Sequence, residues 1–270
     1  MALFPAIMLA GRHHSIFPIQ IAKGRPLGKA DLHIHSSVSD GMASVPEIMS
    51  YVQEKTDLDL IAIADHDQVD GALEAAEWVK THPGCHFQVV VATEITTSLG
   101  RHLLAYFFKP PYPTEPLPRG KSYRHTIALA HEMGGLVGIP HPTVMWTPSG
   151  GYRHILWLLA EGVEINGIEV CNAAIAARGN ADKIRTFNRR DFHLAELGGS
   201  DAHHLAQIGS AFTTFQGRTI AEFERSLARR KTKARFGKAG TVTLQEHAQQ
   251  LFKSWIEKPT RGLRATLANR

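Results

Sequence analysis

Residues 30–67 read ADLHIHSSVSDGMASVPEIMSYVQEKTDLDLIAIADHD. The first six alternate apolar and polar side chains, the pattern of a half-buried strand. Ser44, Val45, Pro46 and Glu47 form a capping box with proline early in the first turn, which starts a helix through Ile48, Met49 and Val52. Residues 58–64 are a short apolar run that reads as a buried strand. The same alternation continues outward from this unit. Helices are expected over 71–80, 123–133, 152–161, 181–190 and 219–230, and strands over 87–92, 103–108, 135–139, 165–170 and 193–197. Residues 109–120 carry five prolines and form a loop. Strands and helices alternating through short connections predict an α/β fold with a mostly parallel sheet. Six to eight strands suggest a closed barrel over a small open sheet.

The chain has 270 residues, enough for one large domain or two small ones, so neither a metal nor a disulfide is needed merely to fold it. A hydrophobic fraction of 43% excludes a disordered chain. No run of 18 apolar residues is present, which excludes a spanning helix of that kind. Two cysteines, Cys85 and Cys171, exclude a disulfide framework and a zinc site built mainly of thiolates. The apolar N-terminal stretch is broken by Pro5 and lacks a preceding basic region, so a signal peptide is not expected and the protein is expected in the cytoplasm. Histidine is over-used, at 16 residues, and it is the commonest metal ligand. The net charge of +5 is uneven, because residues 217–270 hold 13 Lys/Arg against 4 Asp/Glu. That basic end reads either as a solvated face or as a contact for polyanions.

The polar residues with chemical potential recur at strand ends, the face that builds the site in parallel barrels. His33 and His35 stand at i and i+2 on the first strand and point to one side. Asp40 follows on the next loop, and Asp65-His66-Asp67 ends the second strand. Glu94 ends the third, His102 opens the next, and His141 follows the strand over 135–139. Asp201 and His203 repeat the i, i+2 step after the strand over 193–197. Any one of these is an ordinary turn or surface residue. Nine of them at strand ends of one α/β pattern predict a metal site.

The set resembles the polymerase and histidinol phosphatase (PHP) family of metal-dependent phosphoesterases. His33-x-His35 with Ser39-Asp40-Gly41, then Asp65-His66-Asp67, His141-Pro142 and Gly199-Ser200-Asp201-Ala202-His203 are similar to its four motifs in order. Glu94 and His102 match the acidic residue and histidine between the second and third motifs. The resemblance covers about residues 29–235. It implies a distorted (β/α)7 TIM-like barrel with two or three divalent ions at its mouth. Residues 1–28 and 236–270 lie outside the strand–helix alternation and read as an N-terminal arm and a basic tail, with an amphipathic helix expected over 243–257. By the resemblance, one ion takes His33, His35, Glu94 and Asp201, a second shares Glu94 and takes His102 and His141, and a third takes Asp40, His66 and His203. Imidazole and carboxylate ligands suit manganese, zinc or iron.

Such a centre implies hydrolysis of a phosphate monoester or diester, with a hydroxide bridging two ions attacking phosphorus in line and Glu94, Asp201 and His203 as the catalytic core. The substrate expected is a phosphate-ester small molecule or a short nucleic acid. Asp31, Asp65 and Asp67 are candidates to orient ligand imidazoles. Arg178, Asn172, Arg153 and His204 are candidates for substrate contact. Relatives acting on nucleotide bisphosphates or short oligonucleotides carry an arginine after the third His-Pro, where this chain has Thr143-Val144-Met145-Trp146. The competing reading is a non-catalytic module, metal-stabilised or binding nucleic acid.

Overall fold

A computed structural model of the protein describes residues 26–142, 151–238 and 240–254. The opening unit forms as its sequence dictates. Strand β1 (Leu27–Ile34) leads to helix α1 (Val45–Lys55), with Pro46 in the first turn and Glu47 reaching back to the Ser44 amide, and then to β2 (Leu60–Ile63), paired parallel to β1. The order continues α2 (Asp70–Thr81), β3 (Gln88–Thr96), β4 (His102–Phe107), α3 (Tyr123–Glu132), β5 (Leu136–Ile139), α4 (Tyr152–Ala160), β6 (Gly167–Asn172), α5 (Ile175–Arg178), α6 (Ala181–Phe187), β7 (Ala195–Gly199), β8 (Ala211–Gln216), α7 (Ile220–Ala228), β9 (Lys233–Phe236) and α8 (Leu244–Phe252). The apolar N-terminal arm through residue 25, residues 143–146 and Trp255 lie outside the described residues. Among the described residues no helix is long and apolar enough to cross a membrane.

The sheet runs β7-β6-β5-β4-β3-β2-β1-β8-β9. Strands β1 to β7 follow chain order, and the sheet curls until its ends meet: Ile34 bridges Ala202 just beyond β7, with the His35 amide donating to the Ala202 carbonyl at 2.9 Å. The β8–β9 pair supports this seam. Thr213 Oγ1 both accepts from the Gly198 amide and donates to its carbonyl, and Glu196 takes Lys233 Nζ at 3.0 Å. A Cβ on Gly198 would lie 2.3 Å from the Phe212 carbonyl oxygen, so only glycine lets the strands approach there. The result is the barrel-shaped α/β fold expected from the sequence, nearly closed.

Two features depart from a regular parallel barrel. Strand β4 runs antiparallel to both neighbours, and two further antiparallel strands, β8 and β9, form where the sequence pattern predicts none. Inside the barrel, Leu32, Leu60, Ala62, Val90, Leu104, Tyr106 and Leu197 pack together, and Phe223 of α7 closes the floor against Phe215 at 5.2 Å between ring centres. Ile61, Ile63, Val89, Val91 and Ile168 face outward under the helices.

The candidate metal centre

Local irregularity puts the ligands in the mouth. Ala30 and Leu32 of β1 face the barrel interior, whereas Ile34 packs outside. Strict alternation from Ala30 and Leu32 would send Ile34 inward and His33 and His35 outward. Instead the register with β2 shifts between Asp31 and Ile34, and the bulge turns both imidazoles inward above Leu32. Strand β6 uses the same device: its register shifts between Glu169 and Cys171, so Val170 and Cys171 both pack outside while Glu169 and Asn172 meet at the site. The reversed direction of β4 explains His102. It is the first residue of its strand, and antiparallel pairing of Thr96 with His102 places it at the end where β3 delivers Glu94.

All nine expected ligands converge. His33 Nε2 lies 3.1 Å from His35 Nε2, 3.2 Å from Glu94 Oε2 and 3.6 Å from Asp201 Oδ1. His35 Nε2 lies 3.4 Å from the same Glu94 oxygen and 3.2 Å from the same Asp201 oxygen. Ligands about 2.1 Å from a shared ion stand roughly 3.0–3.4 Å apart at adjacent vertices, so these five distances are close to the edges of one coordination shell. Glu94 Oε1 faces His141 Nε2 at 2.9 Å and His102 Nδ1 at 3.0 Å. Asp40 Oδ1 faces His203 Nε2 at 3.5 Å, with His35 Nδ1 and His66 Nε2 within 3.9 Å of the carboxylate. The sets that can hold a cation are His33, His35 and Glu94; His33, His141 and Asp201; His66, Glu94 and His102; and His35, Asp40, His66 and His203. They overlap more than the three expected sets, because His66 also reaches Glu94 and His35 also reaches Asp40.

The donor chemistry fits divalent cations. His35 Nδ1 is buried without a hydrogen bond, and buried ring nitrogens face one another across the His33–His35 contact. Burial works against charge on Glu94, but the imidazoles of His66, His102 and His33 hold it well below the carboxylate range. Asp201 is likewise held low against its burial, by His33, His35, His141 and His203. Burial opposes the proton on His203, yet Asp40 and Asp201 raise it to about 9. Cations and protons therefore compete for the same nitrogens.

Backbone strain gathers at this mouth. Asp67, His141 and Asp201 have φ of 52°, 24° and 54°, three of the six non-glycine residues with positive φ among the described residues.

Residues 187–232 match the PHP-associated family model. A solved two-domain protein from Bacteroides vulgatus containing a predicted PHP-like metal-dependent phosphoesterase superposes with a TM-score of 0.62, at 20% identity over 86% of this chain and 71% of that one. The chain shares its fold with PHP-like proteins. The chain is also 29% identical over 158 residues to the uncharacterized protein MJ1587 of Methanocaldococcus jannaschii, covering 54% of this chain and 82% of that one. The lesion-specific endonuclease Q of Pyrococcus furiosus shares the fold, with a TM-score of 0.56 at 19% identity over 83% of this chain and 66% of that chain.

Around the candidate centre, the supporting residues differ from expectation. Asp31, Asp65 and Asp67 were candidates to hold ligand rings, and their hydrogen bonds go to the backbone and serines that carry the ligands. Asp31 accepts from the amides of Ser200 and Gly209 at 2.9 and 2.8 Å, and burial still raises its carboxyl to about 6. Asp65 accepts from the Ser36 amide and hydroxyl and from Ser39 Oγ, which fixes the loop bearing Asp40. Asp67 accepts from the Thr96 amide at 2.6 Å. The ring-orienting carboxylate is Glu169, which sequence reasoning did not single out. Its Oε1 lies 2.9 Å from His33 Nδ1, and its Oε2 accepts from the His141 amide and Asn172 Nδ2, each at 2.8 Å. A carboxylate inside the apolar run GIEVCN was the available signal.

Of the four substrate candidates, only Asn172 joins the cluster, and it does so by donating to Glu169 and, at 3.3 Å, to Asp201. Arg178 is exposed at the end of α5, its guanidinium 5.0 Å from the Phe236 ring centre. Arg153 is exposed in the first turn of α4. His204 follows His203, and its ring faces His247 at 6.1 Å.

Proposed function

We propose that this protein is a metal-dependent hydrolase of phosphate esters. The observation that carries the reading is the convergence of His33, His35, Glu94 and Asp201 at distances close to coordination-shell edges. His33, His35, Glu94 and Asp201 would hold one ion, Glu94 with His102 and His141 a second, and Asp40, His66 and His203 a third. Manganese, zinc and iron suit this mix of imidazole and carboxylate. Bound divalent ions supply an activated water for in-line attack on phosphorus and offset charge on the phosphoryl oxygens. Glu94 bridges the sets through its two oxygens, Asp201 and His203 complete them on the β7 side, and Asn172 steadies Asp201.

Phosphate monoesters, phosphodiesters and short nucleic acids are the substrate classes this reading admits. Its relation to a lesion-specific endonuclease and to a PHP-like phosphoesterase supports the class. All nine positions keep a ligand-type side chain, which favours an enzyme over a non-catalytic nucleic-acid-binding module. Part of the basic end is engaged internally, with Lys233 on Glu196 and Arg218 3.7 Å from Asp59, so polyanion contact would fall to its remaining cations. The test is a panel of phosphomonoesters and phosphodiesters screened with Mn2+, Zn2+ and Fe2+ supplied separately. Turnover of at least one ester with one ion supports the reading, and inertness across the whole panel removes it.

A further inference from the structure

The chain beyond the barrel returns to the mouth. The Gly237 amide donates to Ser210 and the Gly240 amide to Ala206, each along the loop and strand start that follow His203. Thr243 caps α8 through the Glu246 amide, and α8 carries the chain across to the β1–α1 loop. At its end Lys253 Nζ donates to the Gly41 carbonyl, and Ser254 Oγ donates to Asp40 Oδ2 at 2.7 Å. Gln250 Nε2 donates to the same hydroxyl oxygen at 2.9 Å. The hydroxyl proton has two acceptors in reach, the Gln250 carbonyl at 3.0 Å and the Asp40 carboxylate at 2.7 Å, and the shorter, charge-assisted contact to Asp40 is the stronger.

We propose that Ser254 is a positioning residue for the metal centre, delivered by a C-terminal latch that closes on Asp40 and Gly41. The inference rests on the proposed metal centre. Asp40 is the one carboxylate of the His35, Asp40, His66 and His203 set. With Oδ2 held by Ser254, Oδ1 stays turned toward His203 Nε2 at 3.5 Å and His35 Nδ1 at 3.8 Å. The backbone beneath Asp40 is fixed as well. A Cβ on Gly41 would lie 2.2 Å from the His35 carbonyl oxygen, and Lys253 holds the Gly41 carbonyl from outside. Hydrogen bonds to ligand carboxylates set ligand orientation, and their loss typically costs about 10–100-fold in metal affinity or activity. Ser254 is 214 residues from Asp40 in sequence, so this support is invisible to any motif reading.

Equilibrium dialysis of the full-length, metal-stripped protein against Mn2+ tests the proposal, comparing wild type with Ser254→Ala and Ser254→Thr. The expected result is that Ser254→Ala weakens one class of Mn2+ site by about 10–100-fold, that the other class keeps its affinity, and that Ser254→Thr, which retains the hydroxyl, restores it. Circular dichroism matching wild type shows that the barrel is intact in each variant. Unchanged or tighter Mn2+ binding by Ser254→Ala, with wild type binding normally, overturns the role of Ser254. Weakening of every site equally also overturns it, since the latch touches only the Asp40 set. Wild type that takes up no Mn2+ refutes the metal centre itself, a separate outcome.

Discussion

Glu169 Oε1 lies 2.9 Å from Nδ1 of His33, and both side chains are buried. This contact fixes the tautomer: a proton on Nδ1 donates to Glu169 and leaves the Nε2 lone pair for a cation. Glu169→Gln keeps the size and removes the charge. It is expected to lower Mn2+ affinity and phosphoester turnover by about 10–100-fold while the far-ultraviolet circular dichroism stays that of wild type. Metal titration with parallel kinetics checks this, and wild-type affinity in the variant would remove Glu169 from the centre.

Gly199 lies against the same pair. A Cβ there would meet Glu169 Oε1 at 2.4 Å and His33 Cβ at 2.6 Å. Gly199→Ala forces one of them to move, and overpacking of this kind costs about 1–3 kcal/mol. Urea denaturation should show that loss of stability, together with weaker metal binding because the displaced groups are a ligand and its partner.

Asp65 anchors the loop that carries Asp40. Asp65→Ala leaves the Ser36 amide and Ser36 Oγ without their acceptor in a buried setting, and Ser39 Oγ with only the longer contact to Asp40 Oδ1 at 3.3 Å. Each unsatisfied buried group costs about 1–3 kcal/mol, so a folded variant should have a clearly lower denaturation midpoint. Asp65→Asn retains one acceptor oxygen and should lie between it and wild type.

Metal removal should destabilise the fold. Ions that bind the folded state and not the unfolded chain add about 4 kcal/mol when free ion is about 1,000-fold above its Kd. Dialysis against a strong chelator is expected to lower the thermal midpoint, and Mn2+ to raise it again, with the midpoint following ion concentration. A midpoint indifferent to both treatments contradicts a buried cation site.

Much of this was legible in the sequence because the ligands sit where element boundaries can be read. The capping box at Ser44, the apolar run before Asp65 and the glycines before Ser200 mark the ends of elements, and the ligands fall just beyond them. Periodicity carries no strand direction, so β4 was readable as a strand but not as an antiparallel one, and the placement of His102 beside Glu94 needed the register of Thr96 with His102. The bulges in β1 and β6 were equally hidden, since each changes facing without changing composition. Strands β8 and β9 are short and close the seam through Thr213 and Glu196, contacts set by tertiary packing. Arg178 was readable as a phosphate fork from its type, whereas its packing on Phe236 depends on where β9 runs.

The central claim is that phosphoester hydrolysis depends on ions held by the Glu94 cluster. The most direct measurement is turnover of para-nitrophenyl phosphate and bis(para-nitrophenyl) phosphate by chelated protein before and after Mn2+ is restored, for wild type and Glu94→Gln. Glu94 touches His33, His35, His66, His102 and His141, so its charge reaches at least one histidine of every set. Chelated wild type is expected to show no turnover and to recover with Mn2+, and Glu94→Gln to recover at least a hundredfold less, about 2.7 kcal/mol of barrier. Turnover that survives chelation, or that Glu94→Gln recovers in full, would contradict the claim.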